Sequence, residues 1–524
     1  MNNKVFIFDS TLRDGAQGEG ISFSVSDKLK IVEILDDLGV DYIEAGNPGS
    51  NSKDLEFFEQ VKKMNLRNSR LTAFGSTRRK NIDIEDDANV KALLTAETPA
   101  VAIFGKSWDF HATDIITTTL EENLNMISDT ISFFVNKGKE VIFDAEHFFD
   151  GYKANPEYAV ETLKSAVDAG ASVLSLCDTN GGTFPDEIYE ITKTVCEKFP
   201  ETTVGIHCHN DTGMAVANSV SAVQAGARHV QGTFLGFGER CGNANLSTII
   251  ANLQVKRGYV CLKGENMKKL THAANKISEI SNVMMPNNTP YVGNSAFAHK
   301  GGMHIDGVNK APHSFEHTAP DSVGNRRRFL MSEVSGRGSI LSSVQKIDPT
   351  ITKNSPEAQK IIDELKRLEH KGYHYEGAES SFELVVMKVL GKYEPKFNID
   401  FFKTIVENDV LTEGFSSSSM IKVSVGGKEE ITAAQGNGPV DALDKALRKA
   451  LEVFYPVLKE VYLTDYKVRV LDTENTTSAI VRVLIESTDG KRRWSTIGIS
   501  CDIIEASLIA LKDSIEYKLM CIGE

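Results

Sequence analysis

Up to about residue 260, short apolar runs alternate with longer amphipathic stretches. The apolar runs are Val5–Phe8, Tyr42–Ala45, Leu71–Phe74, Ala100–Phe104, Val141–Phe143, Val173–Leu176, Val204–Ile206 and Val230–Phe234. Helix-like segments separate them, among them Asp27–Leu38, Leu120–Val135, Pro156–Ala169 and Pro185–Phe199. Eight β-then-α units predict a closed parallel (β/α)8 TIM barrel over residues 1–265. An open doubly wound sheet is the competing arrangement. Six strands are more usual there, and no Gly-x-Gly-x-x-Gly follows the first run.

The pattern then changes twice. Over residues 266–396, Lys268–Val283 and Pro356–His370 read as helices around the glycine-rich stretch Phe297–Gly307, and we expect helical linker subdomains. Residues 397–524 predict an α+β domain with an internal pseudo-repeat. Met420–Val425, the turn Gly426-Gly427 and Glu429–Thr432 form a hairpin pattern, followed by the helix Val440–Phe454. Lys467–Val470, Ala479–Ser487 and Arg493–Ile499 precede the helix Ile503–Leu519. The strand–strand–helix order recurs, with Thr432-Ala-Ala-Gln-Gly-Asn-Gly set against Trp494-Ser-Thr-Ile-Gly-Ile-Ser. This domain lacks clustered catalytic side chains, which points to regulation or dimerisation.

Polar residues fall at the carboxyl ends of the barrel runs, the catalytic rim of such folds. Asp14 follows run one, Glu44 ends run two, Glu146 follows run five, and Asp178 and Thr179 follow run six. His207 and His209 end run seven. Side chains at i and i+2 of an extended segment share a face, so the two histidines can grip one ion together. With Asp14 they make a facial site of two imidazoles and a carboxylate, with positions open for substrate. Mg²⁺, Mn²⁺, Co²⁺ and Zn²⁺ all tolerate such an N/O set. Arg13 stands beside Asp14, where its rigid fork of donors suits the oxygens of an anionic ligand and developing negative charge.

Composition narrows the classes. Of 524 residues, 41% are apolar and 25% charged, as expected of a soluble globular chain. The net charge of −14 argues against a nucleic-acid partner, and no basic stretch interleaves with aromatics. An anionic ligand would therefore need local positive charge at its site. No run reaches the roughly 20 apolar residues of a membrane helix. The seven scattered cysteines read as reduced thiols of a cytoplasmic protein.

Asp9-Ser-Thr-Leu-Arg-Asp-Gly15, Ile43-Glu-Ala-Gly46, His207-Cys-His209, Gly236-Phe-Gly-Glu-Arg-Cys-Gly-Asn243 and Gly302-Met-His-Ile-Asp-Gly307 resemble the α-isopropylmalate synthase and homocitrate synthase group. Gly436-Asn-Gly-Pro-Val-Asp-Ala-Leu-Asp444 and Glu505-Ala-Ser507 resemble its allosteric domain. The segments Phe104–His111 and Phe143–Gly151 are similar to those of members that use pyruvate. The resemblance implies a Claisen condensation with acetyl-CoA as cosubstrate, a divalent metal on Asp14, His207, His209 and Asn243, and a homodimer with isoleucine as effector. It implies that Arg13 steadies the keto acid's oxygen and that Thr179 binds its carboxylate. Glu44 and Glu146 would bind the keto acid or order a water, and Phe104 and Phe143 would narrow the pocket. His304 would serve as base from the partner subunit. Phe315 stands where relatives often carry tyrosine. The run Arg326–Arg328 could meet coenzyme phosphates. Use of 2-oxoisovalerate is the near alternative, and a metal-dependent carbon–carbon lyase the more distant one.

Overall fold

The computed structural model describes residues 3–50, 52–330, 344–345, 347–352, 354–375, 377–409, 414–471, 479–490 and 492–521. It divides into two compact units, Met1–Phe297 with Glu316–Arg327, and Ala298–Phe315 with Arg328–Glu524.

In the first unit eight parallel strands close into a barrel in sequential order. They are Phe6–Asp9 (β1), Tyr42–Glu44 (β2), Arg70–Ser76 (β3), Ala100–Lys106 (β4), Glu140–Glu146 (β5), Val173–Asp178 (β6), Thr203–Cys208 (β7) and His229–Gly232 (β8). Each predicted apolar run overlaps its strand. Helices start and stop where local chemistry dictates. Ser24 and Asp27 form a reciprocal capping box at Val25–Leu38, and Gly39 closes that helix in the left-handed region (φ 88°).

Two apolar layers follow from the alternation of side chains across the strands. The larger lies between sheet and helices. The smaller fills the barrel, with Phe8, Tyr42, Ala102, Ile142 and Val173. Phe143 belongs to the larger layer. Its ring lies so near Gly105 that a Cβ there would come within 2.9 Å of it, with Ile127 alongside. The expectation that Phe143 narrows a substrate pocket is therefore wrong. In β5, Ile142 fills the barrel, so its neighbour Phe143 faces the helices.

The second unit contains, besides the short parallel pair Ala298–His299 and Arg328–Phe329, two three-stranded antiparallel sheets, each backed by a helix. The first has Asn398–Asp409, Gly414–Val425 and Lys428–Gly436, followed by Pro439–Leu451. The second has Tyr462–Val470, Val481–Thr488 and Arg493–Ser500, followed by Ile503–Met520. Each repeat thus carries three strands before its helix; the second repeat's three match the predicted runs, and the first has an unpredicted leading strand, Asn398–Asp409. The expected register of the repeat also slips by two residues. Thr432 Oγ1 donates to the Ala446 carbonyl and Thr496 Oγ1 to the Ala510 carbonyl, both at 2.7 Å, so Thr432 corresponds to Thr496 rather than to Trp494. None of the seven cysteines forms a disulfide. Among the described residues no helix is long and apolar enough to cross a membrane.

Candidate metal centre

Asp14, His207 and His209 are brought together at the carboxyl rim of the barrel, all buried, with their ligand atoms within 4.8 Å of one another. His207 Nε2 lies 3.3 Å and His209 Nε2 3.8 Å from Asp14 Oδ2. Donors around 2.0–2.1 Å from a tetrahedral ion stand roughly 3.3 Å apart, so these spacings suit one shared cation. Asn243 is held beside them by an isolated antiparallel bridge to His209. Its Oδ1 is buried without a hydrogen-bond partner among the described residues, which makes it a candidate further ligand. The loop that delivers it needs glycine. A Cβ on Gly238 (φ 150°) would meet Asn243 Nδ2 at 2.2 Å, and one on Gly242 (φ 85°) would meet the Gly236 carbonyl at 2.0 Å.

Electrostatics prepare the donors. Burial pushes the Asp14 carboxyl up, but Arg13 and the two imidazoles outweigh it and hold it well below the usual carboxylate range. Burial, then the neighbouring His207, push His209 down to about 4, which keeps its imidazole neutral and able to coordinate. Burial also disfavours charge on His207, but the hydrogen bond to Asp14 outweighs it and raises its pKa.

Arg13 joins three groups. Its Nε donates to Glu44 Oε2 at 2.7 Å, its NH1 lies 3.3 Å from Asp14, and its Cζ sits 3.7 Å from the Phe74 ring centroid. Ser10 Oγ also donates to Glu44 Oε2. Phe74 stacks on Phe104 with centroids 5.1 Å apart, so Phe104 lies near Arg13 on the barrel's inner face. Glu146 pairs with Lys106 across β4 and β5. Thr179 Oγ1 accepts the His147 N–H at 2.9 Å, which leaves its own hydroxyl hydrogen free to donate. The guanidinium of Arg240 donates to the Thr179 carbonyl and to Asp211, tying the loops after β6, β7 and β8 together.

His304 lies in the second unit, on the helix Gly302–Lys310, where its ring stacks on Phe315 with centroids 4.4 Å apart. Of the arginine run, Arg327 holds Glu316 and Arg328 holds Glu379, so two of the three guanidiniums already have carboxylates. Sequence reasoning missed Ser10, Phe74, Lys106, Asp144, Gln231 and Arg240. Strand alternation held the signal for Asp144, whereas Gln231 needed the pairing of β7 with β8. Asp144 lies two residues before Glu146, and Gln231 pairs in register with His207.

Three family descriptions cover most of the chain: HMGL-like over residues 4–277, homocitrate synthase post-HMGL domain-like over 291–373, and LeuA allosteric (dimerisation) domain over 376–519. The chain belongs to the HMGL-like family. Within it the chain falls in the (R)-citramalate synthase group. It is 55% identical to the (R)-citramalate synthase of Aquifex aeolicus (strain VF5), over 99% of this chain and 98% of that one. It is 49% identical to the (R)-citramalate synthase of Geobacter sulfurreducens, over 98% and 97%. A 2-isopropylmalate synthase of Shewanella baltica (strain OS195) is more distant, 30% identical over 98% and 94%.

Proposed function

We propose that the protein condenses acetyl-CoA with pyruvate to give (R)-citramalate and CoA. The observation that carries the reading is the buried Asp14–His207–His209 cluster with Arg13 locked beside it. A divalent cation held by these residues and Asn243 would supply Lewis-acid polarisation of the ketone.

The residues divide the remaining work. Arg13, fixed by Glu44 and Phe74, presents guanidinium hydrogens where negative charge develops on the ketone oxygen. The Thr179 hydroxyl donates to the keto acid's carboxylate. Phe104 limits the room around the substrate methyl. His304, supplied by the partner subunit, takes a proton from the acetyl methyl, and the carbanion forms the new bond to the ketone carbon. Glu146, oriented by Lys106, positions the water whose attack breaks the thioester and releases CoA as its thiol.

The same proposal includes a homodimer with isoleucine as effector. The match to an allosteric dimerisation domain supports it, as do the apolar side chains left exposed on one sheet, among them Phe401, Phe402, Ile405, Met420 and Ile431.

A panel of 2-oxo acids with acetyl-CoA, followed by free-thiol release, tests the reading. Faster CoA release with pyruvate than with 2-oxoisovalerate is expected. The reverse order would assign the isopropylmalate reaction, and no release with any 2-oxo acid would overturn the condensation.

A further inference from the structure

One buried chain of hydrogen bonds behind the metal cluster has no part in the chemistry above. Gln231 is fully buried inside the barrel, between Asp144 and His207, themselves 4% and 5% exposed. Its Nε2 donates to Asp144 Oδ1 at 2.7 Å, and its Oε1 lies 2.9 Å from His207 Nδ1. The far side of the same imidazole, Nε2, faces Asp14 Oδ2.

With Asp144 ionised, as at the pH 8 of the test below, donor and acceptor rules fix every hydrogen along this chain. An ionised carboxylate only accepts, so the amide must turn its NH₂ toward Asp144. That turns the amide oxygen toward His207. The oxygen also only accepts, so His207 Nδ1 must carry the hydrogen. In a neutral ring the Nε2 lone pair is then left pointing at the cation site. The opposite tautomer would set Nδ1 and Oε1 lone pair against lone pair and put a hydrogen where an ion belongs. His209 has no such support, since its Nδ1 is buried without a partner among the described residues. Orientation of the imidazole pair therefore falls on His207.

We infer that Gln231 is a positioning residue, oriented by Asp144, that fixes the His207 tautomer and ring angle for cation binding. The inference rests on Asp14, His207 and His209 being the metal cage. Outer-shell partners of this kind alter metal affinity by about 10–100-fold.

The test is Mn²⁺ affinity of the full-length, metal-stripped protein by isothermal titration at pH 8, with thermal midpoints to verify folding. Gln231→Leu removes the acceptor at nearly constant size and should weaken binding about 10–100-fold. Gln231→Glu keeps an acceptor toward His207, sharing one proton with Asp144, and should restore affinity to near the wild-type value. A purely space-filling role would not distinguish these two variants. Asp144→Asn keeps the shape but can face Gln231 either way round, so it should give an intermediate loss, and it carries the test if Gln231→Leu does not fold. If Gln231→Leu and Asp144→Asn bind Mn²⁺ as the wild type does while Asp14→Ala loses it, the cage stands and the inference falls. If Asp14→Ala binds unchanged, the cage falls and the inference with it.

Discussion

The guanidinium of Arg13 lies over Phe74, its Cζ 3.7 Å from the ring centroid, while its Nε grips Glu44. A lysine could keep the charge but not the fork and the stack together. Arg13→Lys should therefore lower kcat about 100–1000-fold, the range seen when one donor to a developing oxyanion is removed. Mn²⁺ affinity and the thermal midpoint should hardly change. Steady-state kinetics beside metal titration check this, and an unchanged kcat would mean that Arg13 serves the barrel rather than the reaction.

Asp14 is the only carboxylate in the three-residue cluster, so neutralising it should be felt at once. Asp14→Asn should cut divalent-cation affinity by at least ~100-fold, because even outer-shell partners account for about 10–100-fold. Chelator treatment of the unaltered protein should abolish CoA release, and added Mg²⁺, Mn²⁺, Co²⁺ or Zn²⁺ should return it to differing extents. Full turnover in excess chelator would refute the metal reading.

Much of this site was legible in the sequence because period-two geometry is simple. His207 and His209 share a face for the reason any i, i+2 pair in a strand does, and the rim position of Asp14 follows from the barrel. What escaped were residues whose role depends on a neighbouring strand. Gln231 and Asp144 look unremarkable until barrel closure turns β5, β7 and β8 toward one interior. The strand Asn398–Asp409 escaped for another reason. Its apolar residues come in pairs, Phe401-Phe402 and Ile405-Val406, four apart as in a helix, and they remain exposed. The two-residue slip in the repeat was invisible because such a shift keeps every side chain on its own face. Only the Thr432–Ala446 and Thr496–Ala510 bonds fix it.

His229 sits inside the barrel below the cluster, its ring 5.3 Å from Phe8 and 5.4 Å from Tyr42. Neither ring nitrogen has a hydrogen-bond partner among the described residues. Burial pushes its pKa down from 6.5 to about 3. The unfolded chain therefore takes up this proton first as pH falls. Stability from the neutral ring is fully present above pH 6.5 and is lost as pH drops toward 3, at about 1.4 kcal/mol per unit. Asp9 and Asp144, both raised to about 7 chiefly by burial, act in the opposite direction, so the whole-protein profile mixes these effects. The comparison with His229→Leu isolates the histidine. Denaturant melts at pH 7 and pH 5 should show the variant losing less stability on acidification, and equal losses would place a proton partner on His229.

Two phenylalanines separate specificity from packing. Phe104 stacks on Phe74 beside Arg13, whereas Phe143 is wholly buried between sheet and helices. Phe104→Ala should open space next to the keto acid and shift preference from pyruvate toward 2-oxoisovalerate. One methylene's worth of contact is about 1–3 kcal/mol, or 10–200-fold in the ratio of kcat/KM values. Phe143→Ala should leave that ratio alone and instead cost about 3–5 kcal/mol of stability through the cavity it leaves. Competition between the two keto acids, measured beside thermal melts, sorts the outcomes. A selectivity change at Phe143 with no loss of stability would reverse the assignment of the two rings, because a side chain facing the helices can reach the substrate only by deforming β5, and that deformation would appear in the melt.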